Sequence, residues 1–182
     1  MTVDIPNANP IACICEGGAE TAIMNILLDN SLLTFDRSQL IDESILPRVS
    51  VNDFQKRYLR QEFEQKIYIL RVIDSRSEKF NIKEPYICQV EKVINVITAP
   101  EIEILLIVSE GKYDDFQRSN ISKPSDYCKN LFKHKNIKSQ KFITTYFENP
   151  DHLVRTIRRY HHLHKQKNNE ASLYDLLKTE YR

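Results

Sequence analysis

Five apolar residues in a row, Ile11–Cys15, form the first regular pattern in the chain. A run without polar alternation suits a strand buried on both faces, as in a parallel sheet. Gly17 and Gly18 follow and permit a tight turn. From Ala19 to Asp29 the apolar positions switch to helical spacing, with Ala22, Ile23, Ile26 and Leu27 on one side. Leu32–Phe35 reads as a second short strand. Ser50 predicts the cap of a helix running toward Phe63, with Asp53 at the capping-box position. Lys66–Ile73 is the strongest strand pattern, rich in branched and aromatic residues, and it ends at Asp74. Val90–Thr98 predicts another strand, stopped by Pro100. Ile102–Ser109 reads as a buried helix with Glu101 and Glu103 at its N-terminal turn.

The pattern changes after Gly111. Asp114–Ser122 is polar and reads as a loop. Pro124 sits well at the first turn of a helix ending near Phe132. Asn149-Pro150-Asp151 opens a helix expected to reach about Lys167, and Ser172 caps a last one through Tyr181. No segment repeats. This order of elements predicts an α/β protein with a mostly parallel sheet flanked by helices, and a helical C-terminal third.

The chain of 182 residues is long enough for one domain with a real core. Its net charge of +1 hides a split. Residues 1–111 carry 17 Asp and Glu against 11 Lys and Arg, whereas residues 112–182 carry 8 against 15. An acidic half before a basic half suits a metal site beside a polyanion-binding surface, or two solvated faces. No apolar run approaches the roughly 18 residues of a membrane span. The polar Met1–Pro10 segment lacks the basic and apolar regions of a signal peptide, so a cytoplasmic protein is expected. Cys13 and Cys15 should share one side of a strand, and with Cys88 and Cys128 they read as reduced thiols.

Ligands of parallel sheets bind beyond the carboxyl ends of the strands. Acidic residues stand at three such ends: Glu16, Asp74, and Glu101 with Glu103. Carboxylates gathered at one edge repel each other unless a cation lies between them, and oxygen-rich clusters suit Mg2+ or Mn2+. The segment Ile11–Glu20, IACICEGGAE, resembles the first motif of the Toprim domain, a hydrophobic strand followed by Glu-Gly and a helix. Ile67–Glu78, IYILRVIDSRSE, resembles the Toprim strand that ends in Asp-x-Asp. Thr98-Ala-Pro-Glu-Ile-Glu-Ile-Leu-Leu-Ile-Val, with Lys123-Pro-Ser-Asp-Tyr-Cys, is similar to the RloB-like branch of that superfamily. The likeness covers about residues 10–135.

The resemblance implies a Toprim-like, Rossmann-like α/β domain over 1–135 with a helical extension over 136–182 packed on it. It implies a Mg2+- or Mn2+-dependent nuclease cutting DNA or RNA, tRNA included, as a bacterial anti-phage effector related to the OLD-type enzymes. Glu16 and Asp74 take the catalytic positions, and Glu16, Glu20, Asp74, Glu78 and Glu103 the metal positions. A partner ATPase and self-association stay open. One departure matters: where the signature has Asp-x-Asp, this chain has Asp74-Ser75-Arg76. Glu78 is the expected substitute, and Arg76 is expected to neutralise a phosphate.

The second half supplies the cations. The segment Arg155–Lys167, RTIRRYHHLHKQK, packs three histidines among basic residues. Arg155, Arg158 and Arg159, with Arg76, Lys129 and Lys133, are the expected nucleic-acid contacts, and Lys135, Lys138 and Lys141 extend the patch. His161 and His164 have helical metal spacing but no acidic neighbour. Tyr127, Tyr146 and Tyr160 are candidates for base stacking. Against the nuclease stands a non-enzymatic alternative, a degenerate module that binds a partner protein or nucleic acid without cutting it.

Overall fold

A computed structural model describes residues 3–133, 136–164 and 170–182. The chain is α/β, with a four-stranded, all-parallel sheet flanked by helices, an arrangement compatible with a Rossmann-like fold. The strands are β1 (Ile11–Cys15), β2 (Leu46–Pro47), β3 (Ile67–Ile73) and β4 (Val90–Ile97), in the order β2-β1-β3-β4. The helices are α1 (Gly18–Asp29), α2 (Val51–Tyr58), α3 (Ile104–Ser109), α4 (Tyr113–Arg118), α5 (Pro124–Phe132), α6 (Gln140–Tyr146), α7 (Pro150–Leu163) and α8 (Leu173–Leu176).

The apolar runs form strands because both sheet faces are covered. Cys13 and Cys15 of β1, Leu70 and Val72 of β3, and Ile94 and Val96 of β4 face the larger core with α1, α3 and α7. The alternate residues Ala12, Ile14, Ile67 and Ile69 face a smaller core built on Phe54 and Leu59. The larger apolar cluster runs without a break from Val3 to Leu177, so the C-terminal helices share it with the sheet.

Leu32–Phe35 is not a strand of this sheet. Leu33 makes an antiparallel bridge to Leu177, and Thr34 N–H donates to Leu176 O at 2.9 Å. The apolar run is satisfied by the C-terminal segment instead. The second strand is Leu46–Pro47, which pairs with Ile14 and Cys15 at the sheet edge. Proline is tolerated there because an edge strand has a side that needs no amide donor. The opposite edge is covered too: Ile97 N–H donates to Ala171 O at 2.8 Å.

The helix after Ser50 stops at Tyr58, short of Phe63, because apolar spacing lapses in the polar stretch after the buried Leu59. The expected loop 114–122 is helical over its first five residues, which belong to α4 (Tyr113–Arg118). Phe116 anchors that turn in the core, edge-on to Tyr127 at 5.3 Å. α6, capped by Ser139, had no counterpart in the sequence pattern. α7 ends at Leu163, and its expected continuation to Lys167 lies outside the described residues beyond His164. The last helix is a single turn, α8, followed by a 3-10 turn at Thr179–Tyr181.

Candidate functional site at the carboxyl edge of the sheet

Parallel pairing of Cys15 with Val72 puts the ends of β1 and β3 side by side. Glu16 and Asp74 therefore occupy one edge, as their strand-end positions require. Asp74 N–H donates to Glu16 Oε2 at 3.1 Å. Glu20 follows one turn into α1 and is buried. After β4, the chain turns through Ala99-Pro100 and brings Glu101 and Glu103 to the same place.

The proximity of these groups is visible in their protonation. Burial raises the Glu20 carboxyl above its ordinary value; its own backbone N–H opposes this, and the charges of Glu16 and Asp74 push it further up. Asp74 is likewise raised, first by burial and then by the charge and carboxyl contact of Glu16. Burial pushes Glu103 up to about 7, with Lys138 opposing and Glu20 and Glu101 adding. Glu101 is the exception. Burial raises it, but Ser125 and Lys138 more than offset that, leaving its carboxyl below the ordinary value.

Lys138 is the resident cation. Its Nζ lies 3.1 Å from Glu101 Oε1 and 3.8 Å from Glu103 Oε2. The residue comes from the turn before α6, which packs on α1. A Cβ at Gly18 would stand 3.1 Å from Lys138 O, so glycine at that position lets the lysine loop approach.

A second set of cations holds the β1–β3 side. Arg48, the residue after β2, donates to Glu16 Oε1 at 2.5 Å and to Glu78 Oε2 at 2.8 Å. Glu78 Oε1 pairs with Arg71, a β3 residue only 3% exposed. Arg71 also lies over the Phe80 ring at 4.7 Å and donates to Asn95 Oδ1 at 3.3 Å. Glu78 is thus held between two guanidinium groups. Among the described residues, no three His, Cys, Asp or Glu side chains converge as a ligand set. Glu16 stands against Arg48, and Glu101 and Glu103 lie beside Lys138.

The basic candidates scatter. Arg76 pairs with Glu170 at 2.9 Å, and Lys129 with Asp126 at 2.9 Å. Lys133 is exposed in a left-handed conformation after α5, and Lys135 lies outside the described residues. Arg155, Arg158 and Arg159 share the exposed face of α7 with His162 and Leu163, without an acidic partner among the described residues. His161 and His164 do not converge: one ring stacks on Tyr174 and the other on Tyr160. Tyr146 donates to Glu110 Oε1 at 2.6 Å and is packed among Phe132, Phe142 and Phe147.

Two residues of this edge, Arg71 and Arg48, are not marked as site residues by the sequence pattern, and Lys138, expected in the nucleic-acid patch, instead lies against Glu101 and Glu103. Arg71, a lone arginine inside an apolar strand, was itself a signal of a buried ion pair. Arg48 was hidden by placing the second strand at 32–35. Lys138 was one lysine in a lysine-rich stretch, and only the fold singles it out.

Together, fold and edge define a parallel α/β protein with a carboxylate-lined site at its strand ends. No family model, curated protein or solved structure matches the chain.

Two outcomes follow from the ion pairs. Glu78→Ala leaves the buried Arg71 without its carboxylate and is expected to cost about 2 to 3 kcal/mol in urea unfolding with EDTA present. A Glu78 that served only as a metal ligand would leave the midpoint unchanged. Glu103 favours its neutral form in the folded state. Its contribution to stability is full below about 4.5 and is lost as pH rises through about 7. Glu103→Gln in EDTA is therefore expected to gain about 2 to 3 kcal/mol on wild type between pH 4 and pH 8. Parallel stability curves for the two proteins would contradict this.

Proposed function

We propose that this protein is a divalent-metal-dependent phosphodiesterase of Toprim type that acts on nucleic acid. The observation that carries the reading is the gathering of Glu16, Glu20, Asp74, Glu101 and Glu103 at the carboxyl edge of one parallel sheet, around Lys138. Carboxylates brought close enough that three of them, Glu20, Asp74 and Glu103, are raised in part by their neighbours' charges favour a cation between them.

The residues fit Mg2+ or Mn2+ in donor chemistry, since hard carboxylate oxygens are what these ions take. Glu16, Glu20, Asp74 and Glu103 would have to draw together from their present arrangement to hold the ion, in exchange for the charge now supplied by Lys138 and Arg48. A bound ion polarises a phosphoryl oxygen and makes water a nucleophile near neutral pH. The chain's own part is positional. The Asp74 amide and Arg48 fix both oxygens of Glu16. The apolar floor of the sheet keeps the carboxylates partly desolvated. Arg155, Arg158 and Arg159 offer a cationic face for a phosphate backbone. The anti-phage role and a partner ATPase rest on the sequence resemblance alone.

A second reading, a module that binds without cutting, is favoured by one observation. Glu78, the stand-in for the second Asp of the signature, is held by Arg48 and Arg71.

The test is cleavage of plasmid, single-stranded DNA and tRNA with Mg2+, Mn2+ or EDTA. Metal-dependent cutting is expected, reduced at least about a hundredfold in Glu16→Gln and Asp74→Asn. Wild-type protein that neither cuts nor binds Mn2+ at millimolar concentration would leave the binding module as the reading.

A further inference from the structure

Beside the carboxylate edge lies a narrow cleft, open to solvent on one side, with an internal volume of about 50 Å3. It sits where β4 ends, between the loop to α3, the inner face of α7 and the turn before α8. Its floor is apolar, with Ile102, Leu105 and Ile157. Its walls carry two parallel ring pairs. His164 stacks on Tyr160 with centroids 5.2 Å apart and planes 14° apart, and His161 stacks on Tyr174 at 3.8 Å and 10°. Arg76, two residues beyond Asp74, stands at the cleft paired with Glu170.

One side chain in this lining is anomalous. Thr98 is 5% exposed, and its hydroxyl has no hydrogen-bond partner. A buried hydroxyl without a partner carries an uncompensated desolvation penalty, so such groups need a reason. Being both donor and acceptor, it can meet the polar edge of a flat heterocycle. Thr98 also ties the cleft to the carboxylates. Its N–H donates to Ile73 O at 2.9 Å, immediately before Asp74.

We infer that this cleft receives a nucleobase. An apolar floor takes a flat ring and aromatic walls stack on it. The Thr98 hydroxyl reads the ring's polar edge, and Arg76 faces the sugar-phosphate that leads to Asp74. A fatty chain would use the floor but leave the hydroxyl, the arginine and the stacked rings without a role. The inference rests on the phosphodiesterase reading for what the neighbouring carboxylates do. It makes the substrate a strand with an unstacked base beside the scissile phosphate, as in single-stranded nucleic acid or a loop.

The test is binding to the full chain in EDTA, by calorimetry and chemical-shift perturbation, with AMP, CMP, ribose 5-phosphate and octanoate as probes. Wild type is expected to bind AMP roughly tenfold or more tightly than ribose 5-phosphate, the difference expected of one stacked base. Thr98→Val keeps the shape of the side chain and is expected to weaken AMP about fivefold. Ile157→Phe fills the cleft and is expected to abolish AMP binding, with circular dichroism confirming the fold. Ribose 5-phosphate binding as tightly as AMP would overturn the inference. So would AMP affinity unchanged in both variants, or octanoate displacing AMP at lower concentration. Because no metal is present, AMP binding without metal-dependent cleavage sinks only the phosphodiesterase reading. Cleavage without AMP binding sinks only the base pocket.

Discussion

Mutual repulsion of carboxylates at the end of a parallel sheet is the constraint around which this molecule is arranged. Glu16, Glu20, Asp74, Glu101 and Glu103 come from three strand ends, and the charges of their neighbours help raise the carboxyls of Glu20, Asp74 and Glu103. Such a group persists only if cations share it. Lys138 answers on the β4 side and Arg48 on the β1 side. The turn before α6 reaches the edge because Gly18 leaves room for it. A side chain at Gly18 would press on the backbone that carries the counter-charge.

The same constraint explains the buried arginine. Arg71 lies in the middle of an apolar strand, where a lone charge is costly. Glu78, folded back from the loop after β3, neutralises it and at the same time reaches Arg48. Glu16, Arg48, Glu78 and Arg71 thus form one chain of alternating charge across the end of the sheet. Any ion or phosphate that enters must exchange with this chain or with Lys138. That competition weakens the pull of the edge on an incoming charge, because the carboxylates are already partly matched.

The C-terminal segment binds the parts together. It bridges Leu33, covers the free edge of β4 through Ala171, and supplies Tyr174 to the cleft wall. A four-stranded sheet with a two-residue edge strand leaves much to cover, and returning chain does it without further strands. As a result the cleft and the carboxylates share one rim. The cleft gets its polar atoms from strand ends and its aromatic faces from α7 and the segment after it.

Periodicity and strand-end placement were readable directly. β1, β3 and β4, the helices after Gly17 and Pro124, and the meeting of Glu16 with Asp74 follow from apolar runs, Gly and Pro punctuation, and the rule that parallel strands present their carboxyl ends together. These are local properties, or follow from local ones through a single topological rule. Leu32–Phe35 shows the limit. Its composition fits a strand, yet its partner is Leu177, and composition carries no information about partners. Lys138, 37 residues from Glu101, and Arg48, 30 from Glu78, are the same kind of case. The sequence by itself determined which segments are apolar enough to be buried and where acids stand at their ends. Only the tertiary structure decided which cation neutralises which acid, because Coulomb attraction depends on distance in space, and that distance is set by how the helices pack.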